Sequence, residues 1–161
     1  LAVHTQSIGL AGIEVYDLLR DEYDIQIEFG DINNILAYIS IGDHIQDIER
    51  LVGALADIRR LYEQPEKELF SAEYITPMVV TTPQKAFYAE KEAMPIRQCA
   101  GRICSEFVMC YPPGIPILAP GEIITEDIID YIQYAQEKGC SMQGPESSDI
   151  STLNVLKEGT Y

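Results

Sequence analysis

Between Gly101 and Glu122 the chain reads GRICSEFVMCYPPGIPILAPGE, and this block holds the side chains best suited to chemistry. Glu106 offers a carboxylate that could pair bidentately with a guanidinium. The plainer expectation for it is a surface carboxylate on a half-exposed strand. Tyr111 offers a phenol that either lines the mouth of a site or braces the prolines from below. Cys110 either faces a pocket or packs as a small apolar group. Pro112, Pro113, Gly114 and Pro116 do no chemistry themselves. They fix the backbone path almost regardless of surroundings, which suits a loop shaped around a ligand.

Outside the block, His4 is a possible acid–base group at the end of a first strand, or a surface histidine. His44 falls in the first turn of a helix and is expected in solvent. Arg20, Arg50 and Arg102 offer guanidinium groups whose roles the sequence does not rank. Arg20 sits beside Asp21 near a helix end, where local pairing is the plainer explanation for it. Glu122, Glu126 and Asp127 resemble an acidic mouth, although preference for a helix start accounts for them. The four cysteines, Cys99, Cys104, Cys110 and Cys140, include no C-x-x-C pair, and only two histidines accompany them. No metal site is expected from that spacing. Cys104 and Cys110 share a parity in an extended reading, as small buried side chains would.

Several elements must position these residues. Leu1 to Thr5 reads as a strand, broken by Gly9 and Gly12. Ile13, Tyr16, Leu19 and Tyr23 follow at helical spacing, with Asp24 closing the helix. Ile25, Ile27 and Phe29 alternate as a half-buried strand, and Ile35 to Ile41 forms another. A long helix then carries Ile45, Ile48, Leu51, Val52, Leu55, Ile58 and Leu61 on one face. Residues 1–62 thus predict a small β-α-β-β-α domain, and 63–80 a charged, proline-marked linker. In 81–161, Thr82-Pro83 opens a helix over Gln84 to Glu92 that buries Phe87 and Tyr88. Ile103 to Tyr111 is a strand leading to the proline loop. Thr125 caps the last long helix, Gly139 ends it, and Thr152 to Leu156 is a final strand. The fold class is α+β, a small sheet-and-helix domain followed by a second α+β domain.

The chain has 161 residues, 47% of them hydrophobic, enough for one real core or two small ones. Its 26 acidic and 11 basic residues give a net charge of −15. Such a polyanion is repelled by phosphate backbones and anionic lipid, so neither nucleic acid nor membrane is expected as a partner. No transmembrane run or signal peptide is recognisable, and reduced thiols point to the cytoplasm. Leu1-Ala2-Val3 reads as the interior of a strand, so the chain is expected to be the tail of something longer.

The GRICSEFVMCYPPGIPILAPGE block resembles the C-terminal signature of the bacterial ornithine/lysine/arginine decarboxylases. Its spelling with Cys104, Glu106, Met109 and Cys110 is most similar to the arginine-decarboxylase branch of Gram-positive bacteria. The first half resembles the small domain of fold-type I enzymes through Gly9-Leu10-Ala11-Gly12, Leu19-Arg20-Asp21, Tyr23 to Glu28, Asn34-Ile35-Leu36 and Gly42-Asp43. The second half resembles the family's C-terminal domain from Pro83 to Tyr88, through Gly101-Arg102-Ile103, to Pro120-Gly121-Glu122.

The resemblance implies a parent enzyme that uses pyridoxal 5′-phosphate to decarboxylate a basic amino acid, arginine to agmatine first. It implies a missing N-terminal cofactor-binding domain, a homo-oligomer and a cationic small-molecule substrate. Glu106, Tyr111 and Cys110 become substrate-binding candidates, with Pro112, Pro113, Gly114 and Pro116 shaping the loop. The family's Schiff-base lysine lies in a Ser-x-His-Lys type segment that is not found here. Lys67, Lys85, Lys91, Lys138 and Lys157 sit in charged surroundings that would not favour a neutral amine. Alone, the chain is expected to be catalytically silent. The rival expectation is a stand-alone, non-catalytic regulatory or assembly module that kept the fold.

Overall fold

A computed structural model describes residues 1–64, 75–111 and 113–159. It divides into two compact units, Leu1–Ser71 and Ala72–Tyr161. The mixture of helices and short antiparallel sheets is the α+β class expected from the sequence.

The first unit is built on a sheet of order β1-β3-β2, from β1 (Ala2–His4), β2 (Phe29–Gly30) and β3 (Asn34–Leu36). Helix α1 (Gly12–Tyr23) lies against this sheet with no space to spare. A Cβ at Gly12 would sit 1.9 Å from the Asn34 carbonyl oxygen, and one at Gly30 would sit 2.3 Å from that of Gly12. Only glycine permits such an approach of backbone to backbone. The helix starts with the Ala11 N–H donating to Glu14 Oε2 at 2.8 Å, and the Gly12 and Ile13 N–H groups donating to the carbonyls of Ile32 and Asp31. It ends at Asp24 in the left-handed region, φ 52°, a conformation a short polar side chain tolerates. Arg50, from the next helix, donates to the Tyr23 and Asp24 carbonyls that the helix end leaves open.

Helix α2 (Ile45–Tyr62) buries Leu51, Ala54 and Ile58 against Val15, Leu19 and Ile35. Here the sequence reading is corrected. Ile45, Val52 and Leu61 are exposed, because the apolar stripe is wider than so small a sheet can cover. The expected strands over 25–29 and 35–41 shrink to β2 and β3, since few partner residues lie alongside them.

The second unit contains α3 (Pro83–Tyr88), β4 (Lys91–Pro95), β5 (Val108–Tyr111), β6 (Ile115–Leu118), α4 (Glu126–Glu137), β7 (Ser141–Gln143) and β8 (Thr152–Leu156). Strand β4 pairs with β8, and β6-β5-β7 form a second sheet. The core collects Cys104, Val108, Leu118, Ile124, Ile129, Ile132, Leu153 and Val155. Thr125 caps α4, its hydroxyl accepting the Ile128 N–H at 3.2 Å, and Gly139 follows the helix at φ 87°. Strand β8 matches the expected bounds.

Three expectations fail in this unit. The helix expected over 84–92 stops at Tyr88, because the buried β8 recruits residues 91–95 as its partner and pairing overrides local propensity. Phe87 and Tyr88 are therefore not core residues. Both are exposed, with their rings edge to face at 5.2 Å. The strand expected over 103–111 is continuous only from Val108, with Ile103 and Cys104 making single bridges to Ile123 and Val155. Residues 75–80 are not free linker either. Ile75 packs on the core, Val79 bridges Glu122, and the Val80 N–H donates to the Gly121 carbonyl at 2.9 Å. Residues 65–74, in the middle of the expected linker, lie outside the described residues.

Candidate functional site

The signature block folds into a buried approach, a hairpin and a return. Ser105 and Glu106 precede β5 and lie inside the unit, 1% and 6% exposed. Glu106 is thus neither a strand surface residue nor open to a ligand on both oxygens. Its Oε1 accepts the Asn154 N–H at 2.8 Å, and its Oε2 accepts the Asn154 Nδ2 at 3.1 Å and the Glu146 N–H at 3.2 Å. The Ser105 N–H and hydroxyl both donate to the Asn154 carbonyl, at 3.0 and 3.1 Å. A buried carboxylate is tolerable only when donors replace its water, and here three N–H groups do so. The result is a polar knot that ties the entry of β5 to β8 and to the loop before it. Asn154 was not singled out from the sequence. Its signal was there: one amide inside the apolar run Thr152 to Leu156 demands a buried partner.

Strand β5 then carries Cys110 inward and Tyr111 outward. Cys110 is buried and pairs with Ile115 and Met142 across the sheet, so it packs and does not face open space. Tyr111 is 50% exposed and stands at the lip of the hairpin, which corrects the picture of a buried brace. The Gly114 N–H donates to the Cys110 carbonyl at 2.8 Å, with Gly114 at φ 90°. Pro113 is exposed, and Pro116 lies in β6 opposite Met109, where the register slips between Val108 and Met109. Proline fits there because β6 is an edge strand. The proline block is therefore half of a hairpin, not a loop alone. Pro112 lies outside the described residues.

The other candidates are held locally. Arg20 pairs with Asp17 and Asp21 at 2.9 and 2.7 Å, and these bonds raise its guanidinium pKa further. Arg50 caps α1, and Arg102 donates to Glu92 and to the Leu156 carbonyl. His4 is exposed, its Nδ1 3.2 Å from Asn34 Oδ1. Glu122 accepts the Ala119 N–H, while Glu126 and Asp127 lie exposed in the first turn of α4.

All four cysteines are buried and none is in a disulfide. Burial pushes the Cys104 thiol up to about 12 and raises that of Cys99 as well. Thiols so protonated are poor nucleophiles. Among the described residues no group of three or more His, Cys, Asp or Glu side chains could hold a metal. Lys91 pairs with Glu146 at 2.9 Å and Lys157 with Glu90 at 3.2 Å, so each of these two amines is engaged by a carboxylate. Lys67 lies outside the described residues.

Comparison with known proteins follows the same residues. The family described as "Orn/Lys/Arg decarboxylase, C-terminal domain" matches residues 63–152. The chain belongs to this family. The arginine decarboxylase of Bacillus subtilis is 41% identical over 98% of the chain, and that of Bacillus anthracis 37% over the same share. The chain spans about a third of the length of these curated relatives. An inducible lysine decarboxylase of Escherichia coli is 33% identical over 58% of the chain and 14% of its own length. Among solved structures, the lysine decarboxylase of Francisella novicida superposes with a TM-score of 0.65 at 20% identity, over 90% of this chain and 28% of that one. Lysine decarboxylase A of Pseudomonas aeruginosa gives 0.64 at 22% identity, over 94% and 28%. At those identities the likeness establishes a shared fold. The matched residues 63–152 include Glu106 and the Tyr111 hairpin, and Asn154 lies two residues beyond them.

Proposed function

We propose that this chain is the C-terminal portion of a pyridoxal-phosphate-dependent arginine decarboxylase, releasing CO2 from arginine to give agmatine. The observation that carries this reading is the 41% identity over 98% of the chain to a protein named arginine decarboxylase. The lysine decarboxylases of Escherichia coli match less well, at 33% identity over 58% of the chain and 26% over 96%, so lysine ranks second and ornithine third. The cofactor and its Schiff-base lysine belong to an N-terminal domain, and the protein works in the cytoplasm as a homo-oligomer. The chain's own part is to shape the substrate entrance and set preference. Tyr111 and the Pro113-Gly114 turn form the lip, Cys110 packs beneath it, and the Glu106 knot holds the hairpin's base.

Against a self-sufficient regulatory module stand the large apolar side chains left in solvent, among them Tyr38, Ile41, Phe87 and Tyr88. The test is CO2 release from arginine, lysine and ornithine by the native polypeptide carrying this sequence. Arginine should turn over fastest, and Tyr111→Ala should change the ratio of arginine to lysine turnover. Equal inactivity on all three substrates, with cofactor supplied, would overturn the reading.

A further inference from the structure

In the first unit β1 and β3 run antiparallel with Ala2 opposite Leu36, Val3 opposite Ile35 and His4 opposite Asn34. The bonded pairs of this ladder fall on odd residues. The Thr5 N–H donates to the Asn33 carbonyl at 2.9 Å. Leu1 and Ala37 exchange both bonds, each at 2.8 Å. In an antiparallel ladder bonded pairs recur every second residue, so the next position due a partner is Ile39. The chain does run on from Ala37 to Ser40 without a bend.

The neighbouring groups agree with this phase. The Leu36 carbonyl faces β2, where it accepts the Glu28 N–H at 3.0 Å, and the Ser40 N–H, on that same side, donates to Asp43 Oδ2 at 2.5 Å. The Ile39 amide and carbonyl therefore face the other side, toward the space beyond Leu1. The side chains concur. Ile35, Ala37 and Ile39 share one face of the strand by its period of two. Ile35 and Ala37 are buried in the core, yet Ile39 is 43% exposed and Ile41 beyond it entirely so. Within the described residues of this unit the core face continues past Leu1, the last residue of β1's side that lies opposite it.

We propose that the edge from Ala37 to Ile41 is the docking site for the polypeptide that precedes Leu1 in the full-length decarboxylase. That segment continues β1 and pairs antiparallel with this edge. The inference rests on the reading of the chain as a portion of a longer enzyme, supported by relatives about three times its length. The register is specified. The residue immediately upstream of Leu1 stands opposite Tyr38, and the second one upstream exchanges two hydrogen bonds with Ile39. That second residue shares the face of Leu1 and Val3, so it is apolar. A row of unpaired strand groups beside uncovered isoleucines otherwise invites aggregation, which an added strand prevents.

The experiment is amide hydrogen exchange, read at single residues, on the 161-residue chain and on the native polypeptide that contains it. The Ile39 amide should exchange at least about tenfold more slowly in the longer protein, while Ser40, bonded to Asp43 in both, changes little. Ile39→Pro, which deletes that N–H, should lower the melting temperature of the longer protein and leave that of the 161-residue chain nearly unchanged. Equal exchange at Ile39 in both proteins would overturn the docking site while leaving the decarboxylase reading intact. Protection that appears in the 161-residue chain alone as its concentration rises would assign the edge to a second copy and overturn the proposal. Absence of any longer polypeptide would overturn both.

Discussion

The two units solve the same problem, a small sheet beside helices, by different means. The second has a main core with a smaller cluster of Ala86, Ile103 and Leu156 beside it, and the buried Glu106 carboxylate is answered by donors from β8 and the loop before it. The first depends on close backbone approach, Gly12 against Asn34 and Gly30 against Gly12. It leaves Tyr38, Ile39, Ile41, Ile45 and Val52 in solvent. A polar knot fixes a unique geometry from within, because each lost bond leaves a buried group without a partner. A glycine contact fixes only the spacing of two elements, and the remaining apolar surface needs cover from elsewhere. Both units leave large apolar side chains in solvent, Phe87, Tyr88 and Ile115 in the second among them, so the contrast lies in the device that fixes each geometry.

Breaking each device separately would sharpen this contrast. The largest effect is expected from Gly12→Ala, whose Cβ would meet the backbone oxygen of Asn34 at 1.9 Å with no flexible side chain to yield. It should cost about 3 kcal/mol or more and abolish the thermal transition of the first unit while sparing that of the second. Glu106→Ala strikes the other unit, leaving the N–H groups of Asn154 and Glu146 unsatisfied. A loss of about 3 kcal/mol is expected in denaturant melts, confined to the second unit's transition.

A third test uses alkali. Burial raises the folded Cys104 thiol to about 12, above its unfolded value of about 8.5, so the folded state binds the proton more tightly. Its contribution is complete below about pH 8.5 and is lost as pH rises toward 12, at about 1.4 kcal/mol per pH unit. Chemical melts of the second unit between pH 8 and 10 should show this slope, and Cys104→Ala should flatten it. The smallest effect belongs to Arg20→Gln. The ion pairs of Arg20 with Asp17 and Asp21 lie in solvent, and stability should move by less than about 0.5 kcal/mol.

The parts of the fold legible in the sequence were those decided locally. Helix α1 with its stop at Asp24, the Thr125 cap, Gly139 and the strand Thr152 to Leu156 follow from patterns within one segment. What escaped was decided by partners distant in the chain. Residues 91–95 become a strand only because β8 needs pairing, and Ile115–Leu118 becomes one in spite of Pro116 because β6 lies at an edge. The face of α2 was overdrawn because helical spacing identifies a stripe and not how much of it a short sheet can cover.

In the signature block, the tight turn around Gly114 followed from residue type and spacing. The role of Glu106 did not. A carboxylate in a strand-like run reads as surface, and only the fold brings Asn154, 48 positions later, up against it.

The most direct test of the account is the intact mass of the native polypeptide that carries this sequence, taken with its visible absorbance. A species about three times heavier than 18.0 kDa that absorbs as lysine-bound pyridoxal phosphate is the predicted result. A native species of 18.0 kDa without that absorbance would contradict the account.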